Sequence, residues 1–223
     1  MGMLLMAGAP WGRFLLLFVL VGTLGAILAV AEPYRMARLT SFIDPWADQF
    51  ASGYQLTQAL IAFGRGHLIG MGLGNSVQKL FYLPEAHTDF VFAVLAEELG
   101  MVGAIAVVGL FALLVWRAMA VGRRAELARL PFAAYLSYGI ALVIGAQAFI
   151  NIAVSTGMLP TKGLTLPLLS YGGSSLVVSC IMVALLLRVD IETRERQRRQ
   201  SPAARRDQAR EAPRRTKAAG VKP

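Results

Sequence analysis

Cysteine and histidine are scarce: one Cys, at position 180, and two His, at 67 and 87, in 223 residues. A lone cysteine excludes an internal disulfide framework, and two histidines with no companion Cys or His at ligand spacing argue against a zinc site. Charge is scarce too. Asp, Glu, Lys and Arg make up 16% of the chain against 56% hydrophobic residues, at a mean hydropathy of +0.57. That composition leaves too little polar surface to wrap a soluble domain of this size. The short alternating segments of a membrane-barrel strand are missing as well.

What is present is four long apolar runs, at about 14–31, 90–116, 131–154 and 168–189. Each reaches or approaches the roughly 20 residues that a helix needs to cross a bilayer. Helices are predicted because every backbone N–H and C=O must find a partner within lipid. The expected fold is an all-α polytopic membrane protein, with a membrane domain over 1–189 and a large extracytoplasmic loop, 32–89, between the first two spans. The net charge of +9 suggests nucleic acid until its distribution is read. Seventeen of the 22 Lys and Arg lie in three places: Arg13, the stretch from Arg117 to Arg129, and the chain from Arg188 onward. By the positive-inside rule both termini and the Arg117–Arg129 loop are cytoplasmic, so the charge reads as topology and no nucleic-acid partner is expected. Residues 190–223 are basic and nearly devoid of apolar side chains, which predicts a disordered cytoplasmic tail against anionic membrane lipid. Ala29-Val30-Ala31 imitates a signal-peptide cleavage site, but the apolar run before it exceeds the roughly 7–15 residues usual there. Cys180, inside the last span, reads as packing.

An external loop of almost sixty residues is long enough to need structure of its own. Asp44-Pro45-Trp46 marks a turn beside an interfacial aromatic. Leu56, Ala59, Leu60 and Phe63 recur at helical spacing opposite Gln55 and Gln58, predicting an amphipathic helix on the outer leaflet. The segment from Gly64 to Asn75 holds five glycines, suited to a tight loop over a membrane-borne ligand; a nucleotide loop lacks its strand–turn–helix context. Leu83-Pro84-Glu85-Ala86-His87-Thr88-Asp89 then places two acids and an imidazole where the second span begins. Thr88 or Asp89 suits an N-cap, and the helix N-terminus favours an ionised Asp89 at head-group height.

Glu97 and Glu98 lie roughly 12–14 Å further along that helix. Acids at such depth face a cavity or find a partner, and Gln147 and Asn151, sharing one face of the third span, are available to bond one of them. Two prolines in Gly157–Pro167, followed by Ser170, Tyr171, Gly172, Gly173 and Ser174, predict a broken entry into the last span. Lys162 in that loop suits either a phosphate or a snorkelling contact with head groups.

These blocks, from about Thr40 to Arg188, resemble the SEDS family of polytopic membrane proteins (shape, elongation, division and sporulation). Pro160-Thr161-Lys162-Gly163-Leu164-Thr165-Leu166-Pro167 is similar to the division branch rather than the elongation branch, whose loop is more apolar. The resemblance implies a peptidoglycan glycosyltransferase that polymerises lipid II into glycan strands during septal cell-wall synthesis, with Asp89 as the essential acid. The resemblance stands beside the reading of the residues themselves, in which Arg65, Lys79, Glu85, His87, Lys162, Ser170, Tyr171 and Ser174 are further substrate-binding candidates and Glu97, Glu98, Gln147 and Asn151 line a cavity. It also implies a place in the bacterial inner membrane at the division septum, beside a class B penicillin-binding protein transpeptidase and other divisome proteins. No cofactor is assigned; a divalent cation, Mg²⁺ or Mn²⁺, is the alternative to Lys and Arg for offsetting pyrophosphate charge. Family members have about ten spans, so these four correspond to the last four, and polymerisation by this chain alone is not expected. A lipid II flippase and a non-catalytic divisome scaffold are the rival readings.

Overall fold

The computed structural model describes residues 10–31, 42–47, 49–50, 53–84 and 86–200. Among them there are helices and turns and no strand. The helices are α1 (Trp11–Ala31), α2 (Tyr54–Gly66), α3 (Val91–Leu127), α4 (Pro131–Ser155) and α5 (Gly173–Gln200), with a π-helical turn at Gln78–Tyr82. Four of them, α1, α3, α4 and α5, are long and apolar enough to cross a membrane.

Hydropathy marked where these helices meet lipid rather than where they end. The stretch Arg117–Arg129, expected as a loop, is helical as far as Leu127, and the link to α4 is only 128–130. Ala, Glu and Arg are good helix formers, and Arg124 in the last turn complements the helix dipole, so nothing ends α3 before Leu127. Pro131 then takes the first position of α4, where its missing N–H has no intrahelical bond to lose. The last helix starts at Gly173 rather than at 168 and continues to Gln200, eleven residues into the expected tail. Its polar end is docked: Val189 is buried beside Ala125 and Ala134, and Thr193 is fully buried. Residues 201–223 lie outside the described residues.

The core is the α3–α4 pair with α5 laid along it. Phe92, Ala104, Val107, Phe111, Ile140, Ile144 and Leu186 form its centre, and Ala118, Ala141 and Ala148 let the helices approach closely. At Gly122 any side chain would meet the Tyr138 ring, so this close approach depends on glycine. The amphipathic helix α2 turns its small residues Ala59 and Ala62 onto Phe90 and Ala93, and Phe63 onto Phe92 with ring centroids 5.7 Å apart. Its apolar face therefore seats on protein rather than lying in the leaflet. The turn at Asp44 forms as expected: the carboxylate accepts from the N–H groups of Trp46 and Ala47, both at 3.2 Å. Along α1 no side chain from Trp11 to Leu28 is buried. Cys180 is exposed on α5 rather than packed.

Candidate functional site

The second span is broken. Gly100 sits inside α3 with φ 69° and ψ −168°, dividing a short leading segment, 91–99, from the long remainder. A break at membrane depth strands backbone donors and acceptors that lipid cannot satisfy. The glycine segment supplies the partners. Met71 and Gly72 donate their N–H groups to the carbonyls of Glu97 and Glu98, both at 3.0 Å, while Met101 and Val102 donate to the carbonyls of His67 and Leu68, at 3.0 and 3.3 Å. A Cβ at Gly70 would overlap the Glu98 carbonyl, and one at Gly100 would lie 2.6 Å from the Leu68 carbonyl oxygen. The bare backbone of this segment thus approaches α3 closely at Gly70 and Gly100.

The two acids end the 91–99 segment, at the negative pole of a helix dipole, where carboxylates are unfavourable without cations. Glu97 is fully buried; Ser76 Oγ donates to its Oε2 at 2.5 Å, and Arg65 Nε stands 3.9 Å from Oε1. Lys79 Nζ stands 3.9 Å from Glu98 Oε1. The expectation that Gln147 or Asn151 would bond these acids is therefore corrected: cations of the segment between α1 and α3 fold down to meet them, because the glycine segment lies along α3. Ser76 went unnoticed in the sequence. Its Oγ also accepts from the Lys79 N–H at 3.1 Å, so the Ser-x-x spacing of an N-cap was the available signal.

Gln147 and Asn151 do something else. Asn151 Nδ2 donates to the Asp89 carbonyl at 2.9 Å and to the Leu164 carbonyl at 2.5 Å, so a single amide ties the loop carrying Asp89 to the loop carrying Lys162. One turn away, Gln147 donates to the Thr165 carbonyl at 3.0 Å. The Tyr171 N–H donates to the His87 carbonyl at 2.8 Å, and Thr165 Oγ1 lies 2.9 Å from Ser175 Oγ. The half-buried Asp89 carboxylate faces the second loop: a Cβ at Gly163 would lie 3.4 Å from Asp89 Oδ2. Phe90, not Thr88 or Asp89, is the N-cap of α3, which leaves Asp89 outside the helix.

Beside this clasp opens a cavity of about 500 Å³. Lys79, His87, Glu98 and Tyr171 give it a polar rim, and Leu73, Val94 and Leu169 an apolar wall. Of the sequence candidates the structure gathers those four around the cavity, and Asp89 and Lys162 at the neighbouring loop pair. Lys162 and Ser174 are exposed. Ser170 is buried, and its Oγ accepts from the Leu166 N–H at 2.8 Å, so its hydroxyl is engaged in shaping the loop. Arg65 is committed to Glu97, away from the cavity rim. Glu85 lies outside the described residues. Among the described residues no three His, Cys, Asp or Glu side chains are grouped as a metal site.

Known proteins resemble the chain over most of its length. A family of cell cycle proteins, FTSW_RODA_SPOVE, matches residues 1–195. A probable peptidoglycan glycosyltransferase FtsW from Halomonas elongata is 87% identical over 204 residues, which are 92% of this chain and 52% of the relative. The protein of the same name from Alcanivorax borkumensis is 62% identical over 192 residues, 86% of this chain and 50% of the relative. A chain from a peptidoglycan synthase complex, solved for the structural coordination of polymerization and crosslinking, superposes with a TM-score of 0.65 at 32% identity, covering 86% of this chain and 52% of that one. The chain spans about half the length of the curated relatives it matches.

Proposed function

The chain belongs to the FtsW/RodA/SpoVE family of cell cycle proteins, and on that premise we propose that it carries the catalytic loops of a peptidoglycan glycosyltransferase that polymerises lipid II at the outer face of the inner membrane. In that reaction a sugar hydroxyl of one lipid-linked disaccharide displaces undecaprenyl pyrophosphate from the anomeric carbon of another, with inversion. A base must take the hydroxyl proton, and positive charge must meet the leaving pyrophosphate. The observation that carries the reading is the Asn151 clasp, which holds Asp89 half-buried against Gly163 at the mouth of two interlaced loops. Asp89 is the base toward the acceptor hydroxyl. Lys79, at the rim of the adjacent cavity and 3.9 Å from Glu98, and the exposed Lys162 are the cations for the pyrophosphate, with His87 and Tyr171 flanking Lys79. A divalent cation fits this donor set only in the manner of Mg²⁺, held by one carboxylate together with substrate phosphates, and Asp89 would be that carboxylate.

The basic ends of α3 and α5 face the cytoplasm in this reading, and the intact protein works at the septum beside a class B transpeptidase, as one component of a peptidoglycan synthase complex. Transport of lipid II is the weaker alternative. Transport through intramembrane acids calls for acids that change partners, whereas Glu97 and Glu98 are held by Arg65, Ser76 and Lys79 and the break between them and the rest of α3 is stitched closed.

The test joins this chain to the upstream half of the Halomonas elongata relative and follows lipid II polymerisation and lipid II translocation in vesicles. Asp89→Ala is expected to lower polymerisation by about 10²–10⁴, the range for loss of a general base, while Glu98→Gln keeps measurable polymerisation. An Asp89→Ala protein that polymerises normally refutes the assignment.

A further inference from the structure

At the opposite, basic end of the molecule a small groove of about 190 Å³ opens between α3 and α5. Its floor is apolar, with Leu114 from α3 and Leu187 from α5, and its mouth is lined by Arg117, Arg124, Asp190 and Arg194. Three guanidiniums against one carboxylate leave two net positive charges at that mouth. Asp190 gathers the arginines: its Oδ1 lies 3.2 Å from Arg124 Nη1 and its Oδ2 2.7 Å from Arg194 Nη2. Each guanidinium has five N–H donors, so these two contacts leave donors directed elsewhere from a pair already held together. Arg117 stands beside Trp116, which is 63% exposed and of the residue type that settles at head-group height.

We propose that this groove binds an anionic phospholipid of the cytoplasmic leaflet, its phosphodiester among Arg117, Arg124 and Arg194 and an acyl chain along Leu114 and Leu187. An amphiphilic groove with its charge at head-group level and its apolar floor toward the hydrocarbon matches a lipid better than a soluble phosphate, which would leave the floor uncovered. A zwitterionic head group is disfavoured because its ammonium would meet the same arginines, and the carboxylate lining the mouth is already shared between two of them. The position is that of basic pockets between membrane helices on the cytoplasmic side. Occupancy would also brace the polar end of α5, where Val189 and Thr193 are buried.

The full chain, purified in mild detergent, is incubated with phosphatidylglycerol or phosphatidylcholine, and retained lipid is counted by native mass spectrometry. Phosphatidylglycerol is expected to be retained at least about fivefold over phosphatidylcholine, and Arg117→Gln/Arg194→Gln to lower that retention about fivefold. Arg123→Gln/Arg129→Gln, the same charge change outside the groove, should lower it less than about twofold. The charge-preserving Arg117→Lys/Arg194→Lys keeps Asp190 paired and should keep more than about half of the bound lipid. Equal retention of the two lipids overturns the site, as do equal losses from both Gln pairs, loss in the Lys pair matching that in the Gln pair, or displacement of the lipid by inorganic phosphate alone.

Discussion

Replacing Gly100 with alanine tests whether the glycine segment and the break in α3 are one device. Gly100 adopts φ 69° and ψ −168°, a backbone region that L side chains rarely enter, at a strain of about 1–3 kcal/mol. The added Cβ would also press on backbone, the Leu68 carbonyl oxygen at 2.6 Å and the Ile69 carbonyl carbon at 2.7 Å, which cannot swing aside as a flexible side chain can. Moving that backbone loosens the bonds from Met71 and Gly72 to Glu97 and Glu98. Two hydrogen bonds at about 1 kcal/mol each bring the total to about 3–5 kcal/mol. For a chain of this size that corresponds to a fall in Tm of roughly 10 °C. Gly109, on the same helix, has nothing within 4 Å of a built Cβ, so Gly109→Ala should be neutral or stabilising by about 0.5–1 kcal/mol. Thermal unfolding of the detergent-purified chain reads both. A Gly100→Ala protein that melts within about 2 °C of the parent would sink the claim that this glycine is what permits the stitched break.

Two further outcomes follow from the same geometry. Arg65→Met leaves the fully buried Glu97 with Ser76 as its hydrogen-bond donor and should destabilise by about 1–3 kcal/mol, reduced from the value for a fully buried pair because Arg65 is 40% exposed. Adding Glu97→Leu should recover at least about half of that loss, and a double-mutant cycle showing no coupling would mean that the 3.9 Å contact does not bind the two. Asn151→Leu removes the donors to the Asp89 and Leu164 carbonyls with little change in volume; in the completed protein, polymerisation should fall by about 10²-fold through misplacement of Asp89. Unchanged turnover would show that the clasp does not position that carboxylate.

Much of this was legible because two signals are local. Apolar length identified the four long helices, and the Asp44 turn, the helix at Leu56–Phe63 and the irregular entry at 168–172 followed from residue type and spacing. Helix ends were less legible. Arg117–Leu127 and 190–200 are polar yet helical, since water ends a hydrophobic run without ending a helix, and docking of Val189 against Ala125 and Ala134 holds the second stretch in place.

By itself, then, the chain's composition determined the compartment, the helical class and the loop that bears Asp89, all properties carried by neighbouring residues. Only the tertiary structure decided which polar groups meet. The Gly100 break redirects four backbone bonds to a segment some thirty residues earlier, and so brings Arg65 and Lys79 down to Glu97 and Glu98. That in turn leaves Asn151 to join two loops sixty-two and thirteen residues away from it. Partners at such separations are chosen by where the folded backbone leaves an unsatisfied donor or acceptor in a medium without water, and no local pattern records that choice.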